Sequence, residues 1–200
     1  ALQWAIGLEW FLLVTDPWRV ALTTDHPNGA AFTAYPEIVQ LLMSRDYRRE
    51  CIARLPDKLR SRSCLSELDR EYTLYEIAIM TRAGPARSLG LADRGHLGVG
   101  ACADITVYDD NPDREAMFAT PEMLFKNGEL IVRNGKIIKA VNGATHVARP
   151  SYDRGIERQL KRYFDDYNTV RMENFRLSDE EILDHGRGSL IIQPTKARLA

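Results

Sequence analysis

The stretch Val20-Ala-Leu-Thr-Thr-Asp-His-Pro-Asn-Gly29 passes from apolar and β-branched residues to a carboxylate and then to turn-forming residues. This pattern predicts a short buried strand over residues 20–24 that ends at Asp25 and breaks at once into a turn. Because side chains alternate across a strand, Ala21, Thr23 and Asp25 are expected on one face. A carboxylate at the C-terminal end of a strand is where (β/α) barrels place catalytic groups and metal ligands.

The bulk composition describes a folded domain without strong electrostatic bias. The chain has 200 residues, 44% of them hydrophobic and 28% charged, which fits one ordinary domain or two small ones. A net charge of −1 provides no overall attraction to nucleic acid or to an anionic membrane. The apolar run over residues 1–14 is too short and too polar to span a bilayer, and it lacks the basic leader of a signal peptide.

The three cysteines, Cys51, Cys64 and Cys102, are odd in number and widely spaced. They predict reduced thiols in a cytoplasmic protein, because no C-x-x-C metal or redox pair is present. The glycines of residues 90–100 do not form a G-x-G-x-x-G cradle between a strand and a helix, which argues against a nucleotide site.

The chain begins at Ala1, inside an amphipathic pattern that no capping residue precedes. We therefore expect it to be the C-terminal part of a longer polypeptide, with a trimmed but self-sufficient domain as the alternative.

The first half of the chain is predicted to be mainly helical. Helices are expected over residues 1–14 and 33–44, and over the basic stretch that runs from Tyr47 to Leu59. Thr73 and Glu76 have the spacing of a capping box, which starts a helix that should weaken or restart near Pro85. This helix is expected to direct Tyr75, Ile79 and Met80 inward.

The arginines around the basic stretch are expected to form a solvated face, with contact to a partner protein or to an anionic substrate tail as the alternative. They are Arg48, Arg49, Arg54, Arg60 and Arg62.

The second half predicts strands and then a helical tail. Asn127-Gly128 and Asn134-Gly135 each separate two apolar runs, which is typical of type I′ hairpins and predicts a three-stranded meander. A charged amphipathic helix over residues 153–167 should follow, then a short helix capped by Ser178, and then a possible strand at residues 190–192.

Several longer runs carry a resemblance to a known family. They are Leu22-Thr-Thr-Asp-His-Pro-Asn-Gly29, Tyr35-Pro-Glu-Ile38, Arg70-Glu-Tyr-Thr-Leu-Tyr-Glu-Ile-Ala78 and Gly95-His-Leu-Gly-Val-Gly-Ala-Cys-Ala-Asp104. Together they resemble the C-terminal third of an amidohydrolase-superfamily enzyme. Within that superfamily they are similar to the amidohydrolase subunits of formylmethanofuran dehydrogenases and of bacterial formyltransferase/hydrolase complexes.

The resemblance implies an α/β fold in three parts. The last strands and helices of a metal-dependent (β/α)8 barrel would occupy residues 1–94, and strands of a small β-sandwich subdomain would occupy residues 95–148. A helical C-terminal extension would occupy residues 149–200.

The resemblance also implies an activity. In such enzymes a binuclear zinc site activates water for attack on the formamide carbon of a formyl-methanofuran-type amine, which releases formate, or the reverse reaction joins the two. The implied partners are the remainder of the barrel, the other subunits of a formyl-transfer or formate-handling complex and the methanofuran-type substrate.

The resemblance places a metal ligand that also transfers a proton at Asp25, and a simple turn or capping aspartate is the alternative. His26 is expected to leave the opposite face, where it stabilises the turn or supports a ligand rather than binding metal. Asn28 and Gly29 are expected to shape the turn, and Asn28 is a candidate for substrate contact.

The family's other metal ligands, an early His-x-His, a modified lysine and two further histidines, lie on earlier strands. None of His26, His96, His146 and His185 stands in such an arrangement, so no ligand role passes to them. The remaining zinc ligands are expected outside this chain, and the chain alone is expected to be inactive. The alternative is a non-catalytic structural or assembly piece that holds partner subunits.

Overall fold

The computed structural model describes residues 2–186, 188–193 and 195, and the chain divides into two compact units, Ala1–Ala140 and Val141–Ala200. In the first unit the helices are α1 (Leu2–Leu13), α2 (Tyr35–Met43), α3 (Arg45–Ala53), α4 (Asp57–Arg60), α5 (Leu74–Ala78), α6 (Gly84–Ser88) and α7 (Arg114–Ala119). Short 3-10 turns lie at Pro17–Arg19, Phe32–Ala34 and Leu65–Glu67. The strands are β1 (Ile105–Val107), β2 (Met123–Lys126), β3 (Glu129–Arg133) and β4 (Lys136–Ile137).

The core of the first unit is apolar and lies among its helices. Its most buried members include Leu12, Leu42, Leu65, Tyr72, Ile77 and Met80. Leu22, from the stretch that precedes Asp25, belongs to the same cluster. The segment that carries Asp25 is therefore anchored in the core by a buried side chain.

The predicted strand over residues 20–24 is wrong for this structure, in which the segment belongs to no sheet. Strand geometry requires a neighbouring strand to accept and donate its backbone bonds. Among the described residues this segment has two backbone bonds outside its own turn, from the Leu22 N–H to the Met80 carbonyl and from the Ala30 N–H to the Thr24 carbonyl.

The helix predicted after Thr73 forms and is irregular where expected. The Thr73 hydroxyl accepts from the Glu76 N–H at 3.2 Å, and the Glu76 carboxylate accepts from the Thr73 N–H at 2.9 Å. After α5 the chain continues through a π-helical turn at Ile79–Ala83 and enters α6 without a break.

Two of the three predicted inward residues of this helix are buried, Ile79 at 4% and Met80 at 0% exposure. The prediction is wrong for Tyr75, which is 73% exposed. Tyr75 lies in the first helical turn and Ile77 takes the buried position of that turn instead.

Arg48 corrects the prediction of a fully solvated basic face, because its side chain is completely buried. Its guanidinium donates to the carbonyl oxygens of Leu41 at 2.7 Å, of Leu68 at 3.0 Å and of Arg70 at 2.9 Å. Burial lowers the pKa of this guanidinium. Arg48 therefore ties α3 to the segment that leads into α5.

The predicted meander is confirmed as part of an antiparallel sheet of order β1-β2-β3-β4. Asn127, Gly128, Asn134 and Gly135 all have positive φ, as type I′ turns require. One irregularity in the β2–β3 register lies between Leu124 and Phe125.

The second unit contains β5 (Ala144–Ala148), α8 (Ile156–Tyr167), a 3-10 turn at Met172–Phe175, α9 (Asp179–Gly186) and β6 (Ser189–Gln193). The predicted last strand is confirmed as β6, which pairs in parallel with β5. The Ser178 hydroxyl caps α9 as predicted by accepting from the Glu181 N–H at 3.2 Å.

The structure is α/β, as expected. The finer division at residues 94 and 148 into barrel, sandwich and extension stays a prediction. Among the described residues, no helix is long and apolar enough to cross a membrane.

Candidate functional site

The segment before Asp25 alternates between buried and exposed side chains. Leu22 and Thr24 are 8% and 3% exposed, whereas Ala21, Thr23 and Asp25 are exposed together. The expected common face of the last three residues is therefore present, although the segment forms no strand ladder. Asp25 sits at the end of this exposed face.

Two backbone bonds close the turn that follows. The Gly29 N–H donates to the Asp25 carbonyl at 2.9 Å, and the Ala30 N–H donates to the Thr24 carbonyl at 2.8 Å. Asp25 has φ 50°, in the left-handed region that few residues other than glycine, asparagine and aspartate adopt. The turn therefore holds Asp25 in a backbone conformation that an isolated chain rarely visits.

Gly29 is required by a close approach rather than by its own φ. A Cβ at this position would lie 2.5 Å from the Thr24 carbonyl oxygen and 3.3 Å from the Asp25 Cβ. Any larger residue would push apart the two ends of the turn, so the absence of a side chain at Gly29 keeps the turn closed.

The Asp25 carboxylate is exposed, and within the described part of the chain it accepts no hydrogen bond and forms no ion pair. No group of three or more His, Cys, Asp or Glu side chains among the described residues is arranged to hold a metal ion. A single available carboxylate fits the role of one ligand in a larger set. It does not by itself make a metal site, because catalytic zinc takes three protein ligands.

A buried hydroxyl lies directly beside this carboxylate in sequence. Thr24 Oγ1 is buried and has no hydrogen-bond partner among the described residues. Buried polar groups are nearly always paired in folded proteins, so an unpaired one next to an available carboxylate marks a region whose environment is incomplete in this chain.

His26 packs against an aromatic ring of the segment that follows the turn. Its imidazole stacks on Phe32 with 4.0 Å between ring centroids and 18° between planes, and Phe32 is itself stacked with Tyr35. This contact joins the turn to the start of α2, which is compatible with the predicted turn-stabilising role. Asn28 is exposed, and the described residues give its side chain no hydrogen bond, so its contact with substrate stays a prediction.

Two other histidines have local partners. His96 Nε2 lies 2.9 Å from the Ala92 carbonyl oxygen and its Nδ1 accepts from the Gly98 N–H, while His146 Nδ1 lies 2.9 Å from Gln193 Nε2. Each of these bonds stabilises its own loop or strand pair. The side chain of His185 lies outside the described part of the structure.

Sequence reasoning missed the residues that fix the surroundings of the Asp25 segment. The Arg70 guanidinium donates to the Glu76 carboxylate at 2.9 Å and to the carbonyl oxygens of Phe11 and Val14 at the end of α1. Its only sequence signal was its place three residues before the capping box. The bond from Leu22 to Met80 had no signal, because it joins backbone atoms far apart in the chain.

Comparisons with known proteins agree with one another. The model of a family described as "Amidohydrolase family" matches residues 1–138. The chain is 45% identical over 179 residues to the first of the lettered subunits of the formyltransferase/hydrolase complex Fhc of Methylorubrum extorquens, covering 90% of this chain and 33% of that protein. It is 41% identical over 192 residues to the protein FwdA of Methanocaldococcus jannaschii, covering 90% of this chain and 34% of that protein.

A solved structure shows the same fold. The X-ray crystal structure of the formyltransferase/hydrolase complex FhcABCD from Methylorubrum extorquens, in complex with methylofuran, contains a chain that matches with a TM-score of 0.81 at 42% identity. The match covers 97% of this chain and 36% of that chain. The chain thus spans about a third of the length of the relatives it matches.

Proposed function

Because the chain belongs to the amidohydrolase family, we propose that it forms part of a metal-dependent hydrolase that releases formate from a formyl-methanofuran-type amine, or joins the two. The observation that carries the proposal is the similarity to a formyltransferase/hydrolase protein over 90% of the chain. The related structure was solved with methylofuran, which supports a substrate of that class. In this proposal the chain corresponds to the C-terminal part of such a protein.

We propose Asp25 as the residue of this chain that holds the metal. Its carboxylate is exposed, lacks a competing partner among the described residues and stands in a turn closed by two backbone bonds. Zinc would lower the pKa of a bound water and polarise the formamide carbonyl. The Asp25 carboxylate would accept a proton from that water, while the turn keeps it from rotating away.

The remaining ligands of a binuclear zinc site would come from outside these residues, since the described part of the chain has no second metal-binding group beside Asp25. In the complete barrel the exposed face formed by Ala21, Thr23 and Asp25 would face those ligands. We also expect residues 20–24 to complete a strand ladder there, which would place residues 1–94 in the barrel, 95–148 in the sandwich and 149–200 in the extension.

The partners in this proposal are the rest of the barrel and the other subunits of a formyl-transfer or formate-handling complex. Cys51, Cys64 and Cys102 are free thiols, which favours a cytoplasmic location.

The test compares Asp25→Asn with wild type in the complete protein, purified with its partner subunits. We expect formate release from the formylated amine to fall by roughly 100-fold, together with a loss of bound zinc. Asp46→Asn, which changes another exposed carboxylate at the start of α3, is the matched control and should retain both. Full activity and zinc content in Asp25→Asn would refute the proposed role.

An assembly role is the second candidate, favoured by the aromatic residues that the second unit exposes. Tyr163, Tyr167 and Phe175 are 56%, 76% and 66% exposed. The two roles are compatible, and zinc separates them. Zinc bound in proportion to the complete protein and weakened by Asp25→Asn supports the enzyme, whereas a complex that assembles normally without zinc or activity supports the assembly role alone.

A further inference from the structure

One carbonyl oxygen in the irregular helix is left without a partner by its own helix. In the π-helical turn the Gly84 N–H donates to the carbonyl of Ile79, five residues earlier. The next donor along the chain would serve Met80, but that position is Pro85, which has no N–H. The Met80 carbonyl is therefore free to accept a bond from elsewhere.

The donor that takes this carbonyl belongs to the Asp25 segment. The Leu22 N–H donates to the Met80 carbonyl oxygen at 3.2 Å. Both residues are buried, Leu22 at 8% and Met80 at 0% exposure, so water cannot readily substitute for either group. Among the described residues, this bond is the one backbone link from the stretch 20–24 to another element of the fold apart from the turn itself.

The helix that presents the carbonyl is held rigidly at its start. The capping box of Thr73 and Glu76 fixes its first turn, and Arg70 connects Glu76 to the end of α1. The Thr81 hydroxyl donates to the Ile77 carbonyl at 2.6 Å and occupies a further acceptor of the irregular turn. The Met80 carbonyl is thus a fixed point for Leu22, which lies three residues before Asp25.

We propose that Pro85 is a positioning residue for the Asp25 carboxylate. By lacking an N–H, it reserves the Met80 carbonyl for Leu22, and this bond sets the position of the segment whose end carries Asp25. The proposal rests on the proposed function of Asp25 as a metal ligand. It predicts that an N–H at position 85 competes with Leu22 and loosens the ligand without removing it.

The test uses Pro85→Ala in the complete protein with its partner subunits. We expect the Leu22 amide to exchange its hydrogen about 10-fold faster than in wild type. We also expect zinc to be lost to a chelator about 10-fold faster, and kcat to fall more than KM changes. The control is Pro36→Ala, which replaces another proline in the first turn of a helix, α2, and should change none of these readings.

A second variant removes the donor and leaves the helix untouched. Replacing Leu22 by its α-hydroxy acid analogue substitutes an ester for the amide and keeps the side chain. We expect the same faster loss of zinc, and this variant decides the question if Pro85→Ala does not fold.

The outcomes separate this proposal from the one on which it rests. Faster zinc loss in both variants, with Pro36→Ala unchanged, supports a positioning role. Unchanged zinc retention in the ester variant, or equal effects in Pro85→Ala and Pro36→Ala, overturns the positioning role while Asp25→Asn still loses zinc. If Asp25→Asn retains zinc and activity, the proposed function fails instead.

Discussion

The guanidinium of Arg70 donates to the Glu76 carboxylate at 2.9 Å, and both side chains are about four-fifths buried, with exposures of 21% and 22%. The same guanidinium reaches the carbonyl oxygens at the end of α1. A single ion pair therefore connects the C-terminus of α1 to the capping box that starts the helix beneath the Asp25 segment.

This pair predicts a pH dependence of stability. Burial acts to raise the pKa of Glu76, but hydrogen bonds from the Thr73 backbone, from Arg70 and from the Thr73 hydroxyl outweigh it, so the pKa is lowered. A carboxyl with a lowered folded-state pKa contributes stability that is complete above its unfolded pKa, about 4.3. That stability is lost as the pH falls from there through the folded pKa.

We expect Glu76→Gln to flatten the decline in the free energy of unfolding over this acidic window, measured by urea denaturation at a series of pH values. Thr73→Ser keeps the hydroxyl that bonds to Glu76 and should retain the wild-type slope. An unchanged slope in Glu76→Gln would mean that other carboxyls produce the acid sensitivity.

Gly29→Ala should destabilise the turn that carries Asp25. The new methyl would lie 2.5 Å from the Thr24 carbonyl oxygen, and relieving that overlap costs about 1–3 kcal/mol. Gly7→Ala is the matched control, because no atom lies within 4 Å of its added Cβ and alanine favours a helix by about 0.5–1 kcal/mol. Chemical denaturation measures both, and equal stability of Gly29→Ala and wild type would contradict the close approach.

Arg48→Met should lower the free energy of unfolding by about 3 kcal/mol, because it leaves three carbonyl oxygens without their donor in the interior. Arg49→Met removes a more exposed guanidinium that pairs with Asp69 at 2.9 Å, and should cost less than about 1 kcal/mol. Similar losses in the two variants, compared by denaturation, would show that the burial of Arg48 has no energetic consequence.

The chain of 200 residues alone should not release formate from a formylated amine. Its described residues contain no group of three metal-binding side chains, so the ligands that complete the zinc site would be missing. An assay of formate release that compares this chain with the complete protein checks the expectation. Turnover by the chain alone would show that it needs no ligand from elsewhere.

Local patterns predicted the elements whose cause is local. The Asn-Gly turns at 127–128 and 134–135 need only a positive φ at two adjacent positions, and the box of Thr73 and Glu76 needs only a fixed spacing. The interruption near Pro85 was likewise predictable, since proline lacks an N–H whatever surrounds it. These features appear in the structure where they were expected.

Features that depend on distant partners were predicted poorly. The stretch 20–24 has strand-forming residues but no neighbouring strand among the described residues, and pairing rather than propensity makes a strand. Arg48 has the composition of a surface residue, and it is buried because three carbonyl oxygens from other segments converge on it. Whether Asp25 meets a metal depends in the same way on groups outside its segment.

The order of residues was enough to determine the turns, the helix caps and the family to which the chain belongs, because each rests on side chains or backbone angles close together in sequence. Tertiary structure alone decided that the Leu22 N–H takes the Met80 carbonyl and that Gly29 must lie against Thr24. Those contacts arise only when the chain packs into its folded form, and they are what hold the Asp25 carboxylate in place.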